Sequence, residues 1–237
     1  MQYSGNPCVT PYEPEVVSVV HGSPADDHDC DVTSLLQAAA AGDGAAWVEI
    51  VERYGRRVFA LAQSRCRNID VAEEITQSVF VTVAAKVGSG EYTEQGRFEQ
   101  WLFRVAINRV RDHIRRIRRR LDTGDEATLN VIAARESDAS NDTERVREIT
   151  LLRSAMDALS DQDREIVELR HHGGLSFKQI SDLLEEPLGT LLARHHRALK
   201  KLRETIESLD SRPEVISRLA SGFTSSDSAD NGFRALS

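Results

Sequence analysis

The chain is short of cysteine, short of aromatic residues and without a long apolar run, and each shortage removes a class of answer. Its three cysteines, Cys8, Cys30 and Cys66, are odd in number and widely spaced, matching neither a disulfide framework nor a zinc-ligand pattern. They are read as free thiols. His28, Asp29 and Cys30, with Cys8 and His21 upstream, are metal-ligating types in a Pro/Asp-rich segment without ligand spacing, so no metal or other cofactor is expected. Aromatics make up 5% of the 237 residues and hydrophobics 40%, a balance that suits helices better than sheets and suffices for two small domains. No stretch approaches the roughly 20 consecutive apolar residues of a membrane span, and the N-terminus lacks the basic-then-apolar layout of a secretory signal. The expectation is a cytoplasmic protein with no membrane insertion.

Positive charge is also missing, but only locally. The first 34 residues hold six acids and no Lys or Arg, and Asp122 to Glu144 holds seven acids against Arg135 alone. Between them, Arg104 to Arg120 carries eight arginines and one acid, Asp112. Arg104, Asn108, Arg111, Arg115 and Arg118 follow steps of four and three, which align them on one helix face. Like charges so close repel, and a polyanion that neutralises them explains the run better than solvent does; nucleic acid is the commonest such partner. Aromatic residues just upstream and a second basic helix near the other end of the chain favour that reading over a merely solvated face.

Apolar periodicity divides the chain into two helical blocks. In the first, Trp47, Ile50, Tyr54, Val58 and Leu61 form one stripe after Asp43; a second helix starts near Asp70, carries Ile75, Val79 and Val83, and ends at Gly88 and Gly90. A third begins with Phe98, Trp101, Leu102 and Val105 and runs into the arginines. The second block opens with Ile149, Leu152, Met156 and Leu159, then a helix capped by Ser160 that ends at Gly173 and Gly174. Ser176 to Gln179 is a capping box, Glu185 and Glu186 make a turn, and Pro187 opens another helix. Two helices around a short turn predict a helix-turn-helix, with Leu188, Leu191, His195, Leu199, Leu202 and Ile206 inward and Thr190, Ala193, Arg194, Arg197, Lys200 and Lys201 outward. The expected architecture is all-α: an acidic, disordered extension (1–31), a first domain (32–121), an acidic flexible linker (122–143), a helix-turn-helix domain (144–209) and a disordered tail (210–237).

The stretch from Leu35 to about Arg120 resembles region 2 of bacterial sigma-70 family sigma factors, and Met156 to about Leu209 resembles region 4. The residues that carry the first likeness are the run from Asp70 to Phe80, Phe98 to Asn108, and Asp112 to Arg116; for the second they are Ala158 to Val167, Gly174 to Ile180, Pro187 to Thr190, and His196 to Arg203. The absence of an intervening domain resembles the compact extracytoplasmic-function group. This resemblance implies a protein that binds core RNA polymerase and promoter DNA, is held by an anti-sigma factor, and performs no catalysis. It places Asp70, Glu73, Glu74, Gln77 and Phe80 on the helix that docks on the polymerase clamp. It gives the melted minus-ten element to Arg97, Phe98, Trp101, Arg104, Asn108, Arg111, His113, Arg115, Arg116 and Arg118. The duplex minus-thirty-five element falls to Ser176, Lys178, Thr190, Leu192, Ala193, Arg194, His196, Arg197, Lys200 and Lys201.

Some of these residues have a second reading. Trp101 has core spacing as well as a stacking surface, and Glu73 and Glu74 also complement a helix dipole. The chain departs from the family pattern at Gly189 to Arg194, where Leu192 and Ala193 replace a basic residue and a serine, and at Glu185, where a turn glycine is common. Leucine reaches a thymine methyl but makes no bidentate bond to guanine. Two other functions remain open: a helix-turn-helix activator, which leaves the first block unexplained, and a polymerase-binding adapter or sigma antagonist that has lost promoter reading. An enzyme is least expected, because His171-His172 and His195-His196 are adjacent pairs pointing in different helical directions, with no completing carboxylate or thiol.

Overall fold

A computed structural model describes residues 27–122 and 143–210. The described residues form eight helices and no strand: α1 (Asp27–Ala40), α2 (Gly44–Cys66), α3 (Ile69–Gly88), α4 (Phe98–Asp122), α5 (Thr143–Asp157), α6 (Asp161–His171), α7 (Phe177–Leu184) and α8 (Leu188–Leu209). The expected flexible linker and tail lie outside the described residues except at their edges, where Asp122 ends α4, Thr143 begins α5 and Asp210 is buried beside Arg147; most of the acidic extension also lies outside. Helix α1 starts at Asp27, five residues before the expected boundary, and Leu36 and Ala39 bury against the first block. No helix of the described residues is long and apolar enough to cross a membrane.

Helix starts follow side-chain chemistry. Asp43 caps α2 by accepting from the Ala45 amide at 2.8 Å, Ser160 caps α6, and Ser176 and Gln179 close a reciprocal capping box on α7. Two details differ from the sequence reading. The helix expected to start near Asp70 is capped by Asn68, with its side chain on the Val71 amide at 3.1 Å, so Asp70 lies within its first turn. Pro187 is the N-cap of α8 rather than its first helical residue, and Leu188 behind it is 45% exposed instead of inward.

The first block packs α1 to α4 around Ile50, Val58, Leu61, Val79, Val83, Leu102 and Phe103. That apolar cluster continues into the second block through Ile166, Leu169, Leu175, Phe177 and Ile180, so the two blocks touch along α4 and α2. A smaller cluster of Ala155, Met156, Val167, Ala198, Leu202 and Ile206 joins α5, α6 and α8. Only two non-glycine residues among those described have a positive φ, Arg67 at 52° and Glu185 at 59°. Glu185 therefore keeps the left-handed turn that a glycine supplies more cheaply, at a cost of about 1 kcal/mol.

His195 of α8 is 3% exposed, its ring 4.9 Å from Phe177 and 5.7 Å from His171, and its Nε2 has no hydrogen-bond partner. Burial, helped by Arg170 and His196, pushes its pKa down to about 4 from 6.5. Above pH 6.5 folded and unfolded states both hold it neutral. As the pH falls from 6.5 towards 4, the unfolded chain binds a proton that the folded one refuses, so stability drops across that window. His195→Leu should flatten the dependence of Tm on pH between about 4 and 6.5. A residual slope is expected from His172, whose pKa burial also lowers.

Candidate polymerase and nucleic-acid interfaces

On α3, Asp70, Glu73, Glu74 and Gln77 are exposed and Phe80 is half-buried, one helical stripe of acids ending in an aromatic ring. Phe80 packs on the core while Val81 beside it is 69% exposed. On the neighbouring α4, Arg109 donates to Thr82 Oγ1 at 2.8 Å and ties the two helices together. His113 faces this seam. Burial and Arg116 hold its pKa below the usual value, against the opposing pull of Glu74.

At the start of α4 the aromatic residues form a connected group. Trp101 stacks on Tyr92 at 4.1 Å and 24°, and Phe98 meets Tyr54 and Tyr92 edge to face at 5.4 and 5.9 Å. Phe98 is 3% exposed, so its ring belongs to the core and is closed to an unpaired base. Trp101 is half-buried; its indole covers Tyr92, a residue that the period-3.6 reading passed over because it lies in the loop before the helix. Tyr92 donates to Glu94 at 2.6 Å, and Glu94 accepts from the Arg97 amide at 2.8 Å, which fixes the loop ahead of α4. Burial, with the Glu94 bond, raises the Tyr92 phenol well above its ordinary pKa.

The arginine face is present but not empty. Asn108, Arg115 and Arg116 are exposed, Arg115 lying 3.7 Å from Asp112. Arg111, however, gives Nη2 to both oxygens of Glu165 on α6 at 2.7 Å, Arg104 donates to the Leu183 carbonyl at 2.7 Å, and Arg118 stands 3.6 Å from Asp161. With Glu185 3.2 Å from Arg104, carboxylates of the second block thus meet three of the positions expected to await a polyanion.

In the helix-turn-helix, Lys178, Thr190, Leu192, Ala193, His196, Arg197, Lys200 and Lys201 are exposed on α7 and α8, as their spacing predicts. Leu192 is 44% exposed. Two residues assigned to this surface are committed elsewhere. The Ser176 hydroxyl is the cap acceptor of α7. Arg194, with its side chain 13% exposed, binds Glu186 at 2.8 and 3.0 Å, Asp163 at 3.1 Å and Gln162 at 2.9 Å. Its guanidinium is a clamp from α8 to α6 and to the turn, rather than a free phosphate ligand. Burial opposes the charge on Asp163, yet the bonds from Ser160 and Arg194 prevail and hold its carboxyl below the usual range.

This arrangement has known counterparts. The family model for sigma-70 region 2 matches residues 50–120 and that for sigma-70 region 4 matches residues 155–204. The chain is 32% identical over 169 residues to the ECF RNA polymerase sigma factor SigE of Mycolicibacterium smegmatis, covering 70% of this chain and 64% of that protein. It is 28% identical to BldN of Streptomyces coelicolor (77% and 69% covered) and 26% identical to SigK of Mycobacterium tuberculosis (75% and 94%), both also ECF RNA polymerase sigma factors. The fold is shared with CnrH, solved in complex with the cytosolic domain of CnrY, at a TM-score of 0.53 and 22% identity over 74% of this chain and 97% of that one. The chain belongs to the sigma-70 family of RNA polymerase sigma factors, in its extracytoplasmic-function group.

Proposed function

We propose that this protein is a promoter-specificity subunit that binds core RNA polymerase, directs it to promoters and helps open the minus-ten region in the cytoplasm, with no catalytic chemistry of its own. The observation that carries the reading is a single domain that sets an acidic stripe ending in an aromatic on α3 against an arginine face on α4, followed by a helix-turn-helix with exposed cations. Acids around Phe80 suit a basic protein surface with an apolar anchor point. Asn108, Arg111, Arg115 and Arg116 follow the phosphates of the melted strand. The partners are core polymerase, promoter DNA as duplex and single strand, and an anti-sigma factor. The adapter alternative draws its support from Leu192 and Ala193 alone.

Glu73→Lys with Glu74→Lys should abolish co-precipitation with core polymerase while leaving helicity and Tm nearly unchanged, since both residues are exposed. Retained binding would send the clamp contact elsewhere. Run-off transcription then separates the alternatives, because a sigma factor starts transcripts and an adapter only binds.

Promoter reading by α8 is testable residue by residue. Leu192→Lys with Ala193→Ser should shift the upstream element recovered from a randomised promoter pool, because lysine donates to guanine where leucine meets only methyl groups. Identical selections would mean that these side chains do not face bases. Arg194→Ala and Arg197→Ala should differ in kind. The first removes the clamp and lowers stability by roughly 1 to 3 kcal/mol in urea unfolding; the second keeps the fold and weakens duplex binding with a shallower salt dependence.

A further inference from the structure

The second block has an open end, and the chain continues directly from it. Helices α5 and α8 pack side by side, and Arg147 near the start of α5 stands 3.2 Å from Asp210, the residue that caps the end of α8. Asp210 is buried and extended, so the chain leaves α8 tied to α5. The apolar stripes of the two helices outrun their mutual cover. On α8, Leu202 and Ile206 are buried, whereas Leu209, the next position of the stripe, is 50% exposed. On α5, Met156 and Leu152 pack into the small core, whereas Ile149 and Val146, the next positions towards its start, are 41% and 42% exposed. Steps of three and four keep each set on one helix face. Around the Arg147–Asp210 pair the described residues thus leave an apolar ledge of Val146, Ile149 and Leu209 half open.

Residues 211–223 follow at once, beyond the stretch matched to region 4, and their sequence carries a helix pattern. Ser211 and Glu214 have the spacing of a capping box, Pro213 falls in the first turn, where its missing amide proton is not needed, and Gly222 stands at a C-terminal cap position. Val215, Ile216, Leu219, Ala220 and Phe223 share one face at a 3.6-residue period, and Glu214, Ser217, Arg218 and Ser221 share the other. A helix this short is marginal alone in water and needs an apolar surface to rest on. We propose that the segment from Ser211 to Phe223 forms an amphipathic helix that turns back over the end of the second block and covers Val146, Ile149 and Leu209. Ser211 directly follows Asp210, so the segment starts beside the ledge and loses little entropy in reaching it. A tethered segment also acts at an effective concentration on the order of millimolar, which favours it over a second copy of the chain. Docked there, it holds the first turns of α5, and with them the point where the linker enters the second block. The expectation of a disordered tail then narrows to residues 224–237.

Hydrogen exchange of the full chain, read by mass spectrometry, tests this. In the wild-type protein the amides of residues 214–223 should exchange at least about tenfold more slowly than those of an unstructured chain. Leu219→Asp with Phe223→Asp should remove that protection and speed exchange in the first turns of α5 by about tenfold, leaving α6 and α7 unchanged. From the other side, Ile149→Asp with Leu209→Asp alters only exposed residues and should also remove protection from 214–223. Ile149→Leu with Leu209→Met keeps the ledge apolar and should retain it. Absence of protection in wild-type 214–223 would overturn the proposal. Protection that survives Ile149→Asp with Leu209→Asp would overturn it too, by placing the segment on another surface. Light scattering over a range of protein concentrations supplies the remaining outcome. If protection grows with concentration together with a dimer, a second copy covers the ledge and the proposal falls.

Discussion

Self-repulsion along α4 is the constraint on which the rest of the molecule turns. Eight arginines within Arg104 to Arg120 put several unit charges within one or two helical turns of each other, and each neighbouring pair at that spacing costs energy at low ionic strength. The N-terminal half of α4 offsets this by burying Phe98, Leu102, Phe103, Ala106, Ile107 and Val110 against α2 and α3, and apolar burial does not depend on salt. The helix is anchored by its apolar stripe and held in tension by its polar one. That division decides where the second block sits, because the cheapest anions within reach are its own carboxylates.

The same division explains why the interface between the blocks is mixed in character. Ile166 and Leu169 of α6, with Leu175, Phe177 and Ile180 after it, add to the first block's apolar cluster, whereas Glu165 and Glu168 of α6 are buried against arginines. Buried ion pairs add little net stability, since desolvation offsets most of the attraction, but removing one partner leaves a charge stranded. Such pairs specify how two surfaces meet more than how tightly. Glu168 is the clearest case: it accepts from Arg65, Arg164 and the Ser64 hydroxyl at once, and no rotation of α6 would preserve that set.

Much of this was legible in the sequence, and the parts that were not share one physical origin. Seven of the eight helices, the caps at Ser160 and Ser176 and the turn before α8 are local properties, set within four or five residues, and they stand where the periodicity places them; α1, which begins inside the segment expected to be disordered, is the helix the reading passed over. Phe98 and Arg194 are different. A Phe at the first position of an amphipathic helix looks the same from the sequence whether its ring faces the core or solvent; Tyr54 and Tyr92, 44 and 6 residues away, decide it. Arg194 lies on the outward arc of α8 by its spacing alone, yet Asp163 and Glu186 come from other segments to enclose it. The placement of α6 carboxylates on α4 is the extreme instance. The charge segregation that makes it possible is written in the composition, but pairing over 54 residues between Arg111 and Glu165 has no local signature.

Helix α8 shows the converse, a place where local chemistry outlasts its tertiary setting. The family's usual reader positions are apolar here, and Leu188, Leu192 and Ala193 remain exposed although apolar side chains gain by burial. Nothing in the second block covers them, and Glu185 and Glu186 in the turn shape the entry to the helix rather than shielding it. An exposed leucine is ordinary in isolation. Three apolar residues within the first two turns of a helix whose later turns carry Arg197, Lys200 and Lys201 form instead a graded surface, methyl-rich at the tip and cationic along the shaft. Such a gradient matches a duplex approached end-on, where the tip meets base edges in the groove and the shaft runs past the phosphates. If α8 reads duplex DNA as proposed, specificity in this half of the protein would come from fit to methyl groups and from groove shape, with weaker discrimination than guanine contacts would give. On that reading the heavier share of promoter choice would pass to the first block, where Asn108, Arg115 and Arg116 are exposed on α4.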